Sequence, residues 1–277
     1  RVPLDRVRAQ APRAMLKPMI AAVVQMTSGP EVARNLSRAA ELIEQAARRG
    51  AELVALPENF ALMRDAAAPG RNPHAQAVPD GEVVRFLRER AAAHRIVLAG
   101  GTFPERIEGD TRVFNTSIVI DRGGELLARY RKIHLFDVDL PGAVHRESES
   151  VAPGSEIVVA KLADCTLGLS VCYDVRFPEL YRALVDRGAT VLLVPAAFTV
   201  PTGRDHWEVL LRARAIENLC YVVGVNRVGT DGNGLHYSGD SAAIDFLGHA
   251  LSEATDEEVV STTTLQAAPL VEWRAKF

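Results

Sequence analysis

Gly168-Leu-Ser-Val-Cys-Tyr-Asp-Val-Arg-Phe-Pro-Glu179 is an apolar run that stops at a cysteine and is followed by a proline fit to open a helix. It predicts a strand over Thr166–Val171 and a helix over Pro178–Arg187. A side chain at a sharp strand-to-helix turn is held outward, and backbone N–H groups there can face a developing oxyanion. Cys172 is therefore a candidate nucleophile. The same window suits a buried structural cysteine, because free cysteine is among the most buried residue types. The window alone leaves both readings open. Cys165 and Cys220 lack the turn context.

Working outward, the same strand–helix alternation recurs. Met19–Met26 reads as a buried strand, and Ser28-Gly-Pro-Glu31 as a capping box opening a helix. That helix places Leu36, Ala39, Ala40, Ile43, Ala46 and Ala47 on one face and stops at Gly50. Strands follow at Glu52–Leu56 and Ile96–Gly100, with a helix at Gly81–His94 between them. Phe114–Asp121 and Glu125–Arg131 flank Arg122-Gly-Gly124, a hairpin signal. Beyond the cysteine come a strand at Thr190–Val194 and a long helix over Arg204–Asn218. The apolar side of that helix carries Trp207, Leu210, Leu211, Ile216 and Leu219. Tyr221–Val225, Ser241–Phe246 and an edge strand at Val259–Thr264 complete the pattern. Ala66–Asp80 and Asp137–Gly154 read as loops. The alternation predicts an α/β layered fold with mixed sheets. Residues 18–277 read as a single domain after a basic, loose tail over residues 1–17.

Composition narrows the function. The chain has 277 residues, 48% hydrophobic and 24% charged, which suits one large core. A net charge of −3 without a basic stretch argues against nucleic acid or an anionic membrane as partner. No apolar run approaches the ~18 residues that span a bilayer. Arg1–Lys17 carries Asp5 and does not read as a signal peptide. Three cysteines without a Cys-x-x-Cys pair speak against a disulfide framework or a thiolate zinc site, and suit a reducing cytoplasm.

Further residues stand where chemistry is placed. Glu58, in Leu53-Val-Ala-Leu-Pro-Glu-Asn59, ends an apolar strand, where α/β sheets put functional groups. It is a candidate general base or a solvated strand-end acid. Lys132, in Tyr130-Arg-Lys-Ile-His-Leu-Phe136, follows another strand and either stabilises negative charge or reaches water. Glu147 and Glu149 follow in a polar loop. Phe198 and Thr199 leave the strand downstream of the Cys172 helix, so they are expected at the same sheet edge as Cys172. The alternative is that Phe198 is core and Thr199 caps the next helix.

The order Leu-Pro-Glu58-Asn-Phe, Tyr-Arg-Lys132-Ile-His-Leu-Phe-Asp and Val-Cys172-Tyr-Asp-Val-Arg-Phe-Pro-Glu-Leu resembles the nitrilase superfamily of carbon–nitrogen hydrolases, from about Met19 to Phe246. The resemblance implies a four-layer α-β-β-α sandwich and homodimers. It implies Glu58 as general base, Lys132 as oxyanion-stabilising lysine and Cys172 as nucleophile. Glu147 matches the family's second glutamate, with Glu149 the competing assignment. The turn at Phe198-Thr199 would line the acyl pocket.

These residues imply an amidase that converts a small linear carboxamide to a carboxylate and ammonia through a thioester. The oxyanion would sit between Lys132 and the Tyr173 backbone N–H. No metal or organic cofactor is implied. A Cys–His pairing would have to use His134 or His206. Pro201–Asn218 and Cys172–Leu180 resemble deaminated glutathione amidases, whereas Tyr237-Ser-Gly-Asp-Ser-Ala242 resembles bacterial ω-amidases acting on α-keto acid monoamides. The first is the leading expectation. Nitrile hydrolysis is disfavoured because Tyr173-Asp174 replaces the familiar Trp-Glu pair. Carbamoyl hydrolysis and a non-catalytic scaffold rank lower still.

Overall fold

Successive side chains of Met19–Gln25 point to opposite sides, and both sides are buried. Ala22 and Val24 pack into one apolar cluster, Ala21 and Val23 into another. A strand buried on both faces must have a layer above and a layer below it. That requirement organises the rest of the computed structural model, which describes residues 17–63, 72–140 and 143–277.

The strands, in chain order, begin with β1 Met19–Gln25, β2 Leu53–Ala55, β3 Val97–Ala99, β4 Phe103–Arg106, β5 Val113–Ile120 and β6 Leu126–Arg131. They continue with β7 Asp137–Leu140, β8 Ala143–Arg146, β9 Val159–Lys161, β10 Thr166–Leu169, β11 Val191–Ala196 and β12 Tyr221–Asn226. The last are β13 Val228–Thr230, β14 His236–Ser238, β15 Ala242–Ile244, β16 Ala250–Glu253 and β17 Val259–Leu265. One sheet runs β17-β1-β2-β3-β5-β4, with β6 also paired to β5. The other runs β16-β15-β12-β11-β10-β9. Helices α1 Val32–Arg48 and α2 Glu82–His94 cover the outer face of the first sheet. Helices α3 Pro178–Asp186 and α4 Glu208–Asn218 cover the second. A C-terminal helix, α5, spans Ala267–Lys276. The order is helices, sheet, sheet, helices: the four-layer sandwich.

Each layer follows from its side chains. Leu36, Leu42 and Ile43 of α1 are buried against β1 and β2. Each such burial stabilises by roughly 1.5–3 kcal/mol, so an aspartate at Ile43 would undo this layer. On the other side, α4 lies so close to β12 that a Cβ at Gly224 would run into Leu211.

Several local expectations need correction. Ser28 does not cap α1. Its hydroxyl donates to the Asn59 carbonyl, while Asn35 accepts from the Gly29 N–H. Ala40 and Ala47 lie on the half-exposed flank, and Leu42 takes the buried position. The predicted helix Arg204–Asn218 begins with a π-helical turn at Gly203–Trp207, and regular α-helix starts only at Glu208. Trp207 is held there by its ring N–H donating to the Asp240 carbonyl at 2.8 Å. Ile216 is half-exposed and off the packed face. The segment 137–154 is more than a loop, since it holds the β7–β8 hairpin and a 3-10 turn at Glu147–Glu149. β4, with an exposed arginine and a proline, carried too little alternation to be read. The expected N-terminal tail lies outside the described residues, apart from Lys17, and the loop expected at 66–80 does so in part.

Candidate active site

Glu58 sits in a turn just past β2, and the turn is braced by the segment between β3 and β4. Thr102 accepts the Asn59 N–H at 2.8 Å and donates its own N–H to the Pro57 carbonyl at 3.2 Å. Gly101 has φ +48°, and a Cβ there would run into the Pro57 carbonyl. The Glu58 carboxylate is thereby fixed while only 3% exposed.

Lys132 follows β6. β3 is parallel to β2, β5 antiparallel to β3, and β6 antiparallel to β5. β6 therefore ends at the same sheet edge as β2, which lets residues 74 apart in sequence meet. The Lys132 ammonium donates to Glu58 Oε1 at 3.1 Å and to Glu147 Oε2 at 2.8 Å. Asn115, from β5, donates to Glu58 Oε1 at 2.8 Å. Glu147 Oε2 also accepts the Phe136 backbone N–H at 2.6 Å. Glu149 is exposed and takes no part in this cluster.

Cys172 arrives from the other sheet. It opens a 3-10 turn, Cys172–Arg176, with φ +49°. A non-glycine residue in that region costs on the order of 1–3 kcal/mol and persists only where its surroundings impose it. β10 and β11 are parallel, so their ends lie together. This brings Ala197, Phe198 and Thr199 alongside the cysteine, and all line one cavity of about 330 Å³ with Glu58, Lys132, Glu147 and Tyr173. Phe198 is buried, with its N–H donated to Asn226 Oδ1. Thr199 stands at the start of the short helical turn Val200–Thr202, but its side chain makes no capping bond.

The electrostatics set the resting protonation. Burial pushes the Cys172 thiol well above its ordinary range, and the Glu58 charge adds to that. Lys132 and the Ala197 N–H pull the other way without prevailing. The sulfur is therefore a thiol, not a thiolate, at neutral pH. Burial by itself would strip the Lys132 proton, but Glu147 and then Glu58 outweigh it and hold the ammonium charged.

His134 and His206, the two histidines a Cys–His pairing would need, are engaged elsewhere. His134 Nδ1 lies 2.7 Å from Asp174 Oδ1, and its ring stacks on Phe177 at 3.6 Å. His206 Nδ1 lies 3.2 Å from an Arg176 nitrogen. Neither lines the cavity. Among the polar groups around the site that escaped the sequence reading are Asn115, Asp174 and Arg176. Asn115 had no local signal. Asp174 and Arg176 lay inside the quoted stretch, where charges in a buried turn were the available clue.

The sequence profile of the carbon–nitrogen hydrolase family matches residues 20–275. The chain belongs to that family. As a carbon–nitrogen hydrolase it acts on carbon–nitrogen bonds other than peptide bonds. It is 44% identical over 246 residues to a deaminated glutathione amidase from Synechocystis sp., covering 87% of this chain and 89% of that protein. It is 36% identical over 256 residues to the omega-amidase NIT2 of Xenopus tropicalis, covering 92% and 91%. In three dimensions it is similar to Saccharomyces cerevisiae Nit3, a member of branch 10 of the nitrilase superfamily. The TM-score is 0.85 at 30% identity, with 96% of each chain covered.

Proposed function

We propose that this carbon–nitrogen hydrolase is an amidase working through a cysteine thioester, and that its substrate is deaminated glutathione. The observation that carries the reading is a single cavity lined at once by Glu58, Lys132, Glu147 and Cys172.

Because the sulfur rests as a thiol, deprotonation has to accompany attack. Glu58 takes the thiol proton as Sγ bonds to the amide carbon. The oxyanion forms between the Lys132 ammonium and the Tyr173 backbone N–H, where losing one donor typically costs ~3 kcal/mol. The C–N bond then breaks, and the proton on Glu58 passes to the departing nitrogen. The thioester that remains is attacked by water. Glu58 removes one water proton and returns it to the sulfur, and the carboxylic acid released gives its remaining proton to solvent. Glu147 orients the lysine, and Phe198 and Thr199 line the acyl side.

The substrate assignment rests on the 44% identity to a deaminated glutathione amidase and on Arg176, a guanidinium at the cavity wall suited to a substrate carboxylate. It also changes the expected product. Deaminated glutathione holds its side-chain carbonyl in a secondary amide, so the leaving group is a dipeptide amine. Ammonia would come only from a primary amide, such as the substrate of an ω-amidase. Three free cysteines, all buried, fit a cytoplasmic setting.

The test is turnover of deaminated glutathione, read as release of the keto acid, beside α-ketoglutaramate, read as ammonia. Higher kcat/KM for α-ketoglutaramate would overturn the substrate assignment. Inertness towards both would overturn the amidase reading for these substrates.

A further inference from the structure

Asp174 is a completely buried carboxylate that touches neither the cavity nor another acid–base member of the site. It accepts from four groups. Tyr130 O–H donates to Oδ2 at 2.7 Å, and the Val171 N–H donates to the same oxygen at 2.8 Å. The His134 N–H donates to Oδ1 at 3.0 Å, and the His134 ring nitrogen lies 2.7 Å from that oxygen. These partners are not scattered. Tyr130 and His134 stand two residues either side of Lys132. Val171 and Asp174 bracket Cys172.

We infer that Asp174 is a positioning residue, which joins the segment carrying Lys132 to the strained turn carrying Cys172 and so sets the ammonium against the attacking sulfur. The inference rests on the amidase reading above. The two segments belong to different sheets, so no ladder of backbone bonds fixes one against the other. A buried carboxylate with four acceptances supplies that link, and it also holds Val171 where the positive φ at Cys172 begins. Its charge is suited to four donors. An asparagine in its place offers one acceptor oxygen and turns an N–H₂ toward donors at the other position.

Two reactions of the same sulfur separate positioning from general damage. Amide hydrolysis needs the oxyanion held by Lys132, whereas alkylation by iodoacetamide needs only the thiol and a base. Asp174→Asn is expected to lower kcat about 100-fold, as for a displacement near 1 Å. KM should stay within about threefold and alkylation of Cys172 within about tenfold, since neither uses the displaced oxyanion site. Tyr130→Phe removes only one link on the lysine side, and should lower kcat about tenfold while sparing alkylation. The substrate is whichever amide wild type turns over fastest, and wild-type inertness would sink the amidase reading without touching the alkylation arm. Asp174→Asn turnover within tenfold of wild type overturns the inference. So does a parallel loss of hydrolysis and alkylation in a folded variant. Should Asp174→Asn not fold, unchanged kcat in Tyr130→Phe overturns it.

Discussion

The Lys132 ammonium reaches Glu147 Oε2 at 2.8 Å, closer than its 3.1 Å to Glu58 Oε1. Lys132 therefore leans on one carboxylate for orientation while the other faces the thiol. Glu147→Gln keeps the shape and removes that charge. Glu58 alone would then hold the ammonium. We expect kcat to fall about 100-fold with KM changed less, because the loss is felt where negative charge develops. Steady-state kinetics on the purified variant would check this, and an unchanged kcat would refute it.

Cys172→Ala should abolish hydrolysis and leave the fold intact. The positive φ adds no further cost, since alanine is no more strained there than cysteine. Residual turnover above about a thousandth of wild type, with a native circular dichroism spectrum, would remove Cys172 as nucleophile.

Thr199 lines the cavity and makes no capping bond from its side chain. Thr199→Val should therefore reduce kcat/KM by about 1–2 kcal/mol in barrier, the worth of one hydrogen bond to substrate. The melting temperature should barely move. The reverse pattern, intact kinetics with a clearly lower melting temperature, would make it a structural residue.

Buried thiols predict a loss of stability in alkali. Burial pushes Cys165 up to about 12 and Cys220 up to about 11, while an unfolded chain releases such protons near ~8.5. Below that pH both states are protonated and the stability is whole. Above it the unfolded chain ionises first, so stability falls as pH rises, until the folded thiols also ionise. The slope approaches ~1.4 kcal/mol per pH unit for each thiol. Urea titrations at pH 8 and pH 10 would measure it. A Cys165→Ala/Cys220→Ala double variant should lose less over that interval, and an equal loss would rule the thiols out as the cause.

We expect a homodimer, as the family resemblance implies. Val209 and Ile216 of α4 are 65% and 51% exposed, which leaves an apolar strip on an outer layer. Sedimentation should give about twice the 30.0 kDa chain mass at micromolar concentration. A monomer mass there would contradict it.

The sequence by itself determined the strands that lead to Glu58, Lys132 and Cys172, because their signals are local. Strict alternation is unnecessary where a strand is buried on both faces, and short apolar runs such as Met19–Gln25 and Val191–Ala196 suffice. Glu58, Lys132 and Cys172 were legible as strand-end residues, in an order that matched a family. Tertiary structure decided what pairs with what. The choice of Glu147 over Glu149 depends on the β7–β8 hairpin, which returns Glu147 to the lysine while Glu149 stays exposed. Asn115 and Asp174 act through partners far along the chain, 57 and 44 residues away, and no local pattern encodes such contacts. An ordinary cysteine is already a thiol at neutral pH; what the sequence could not supply is the further upward push, which follows from how deeply the packed layers bury Cys172 and which charges they bring beside it.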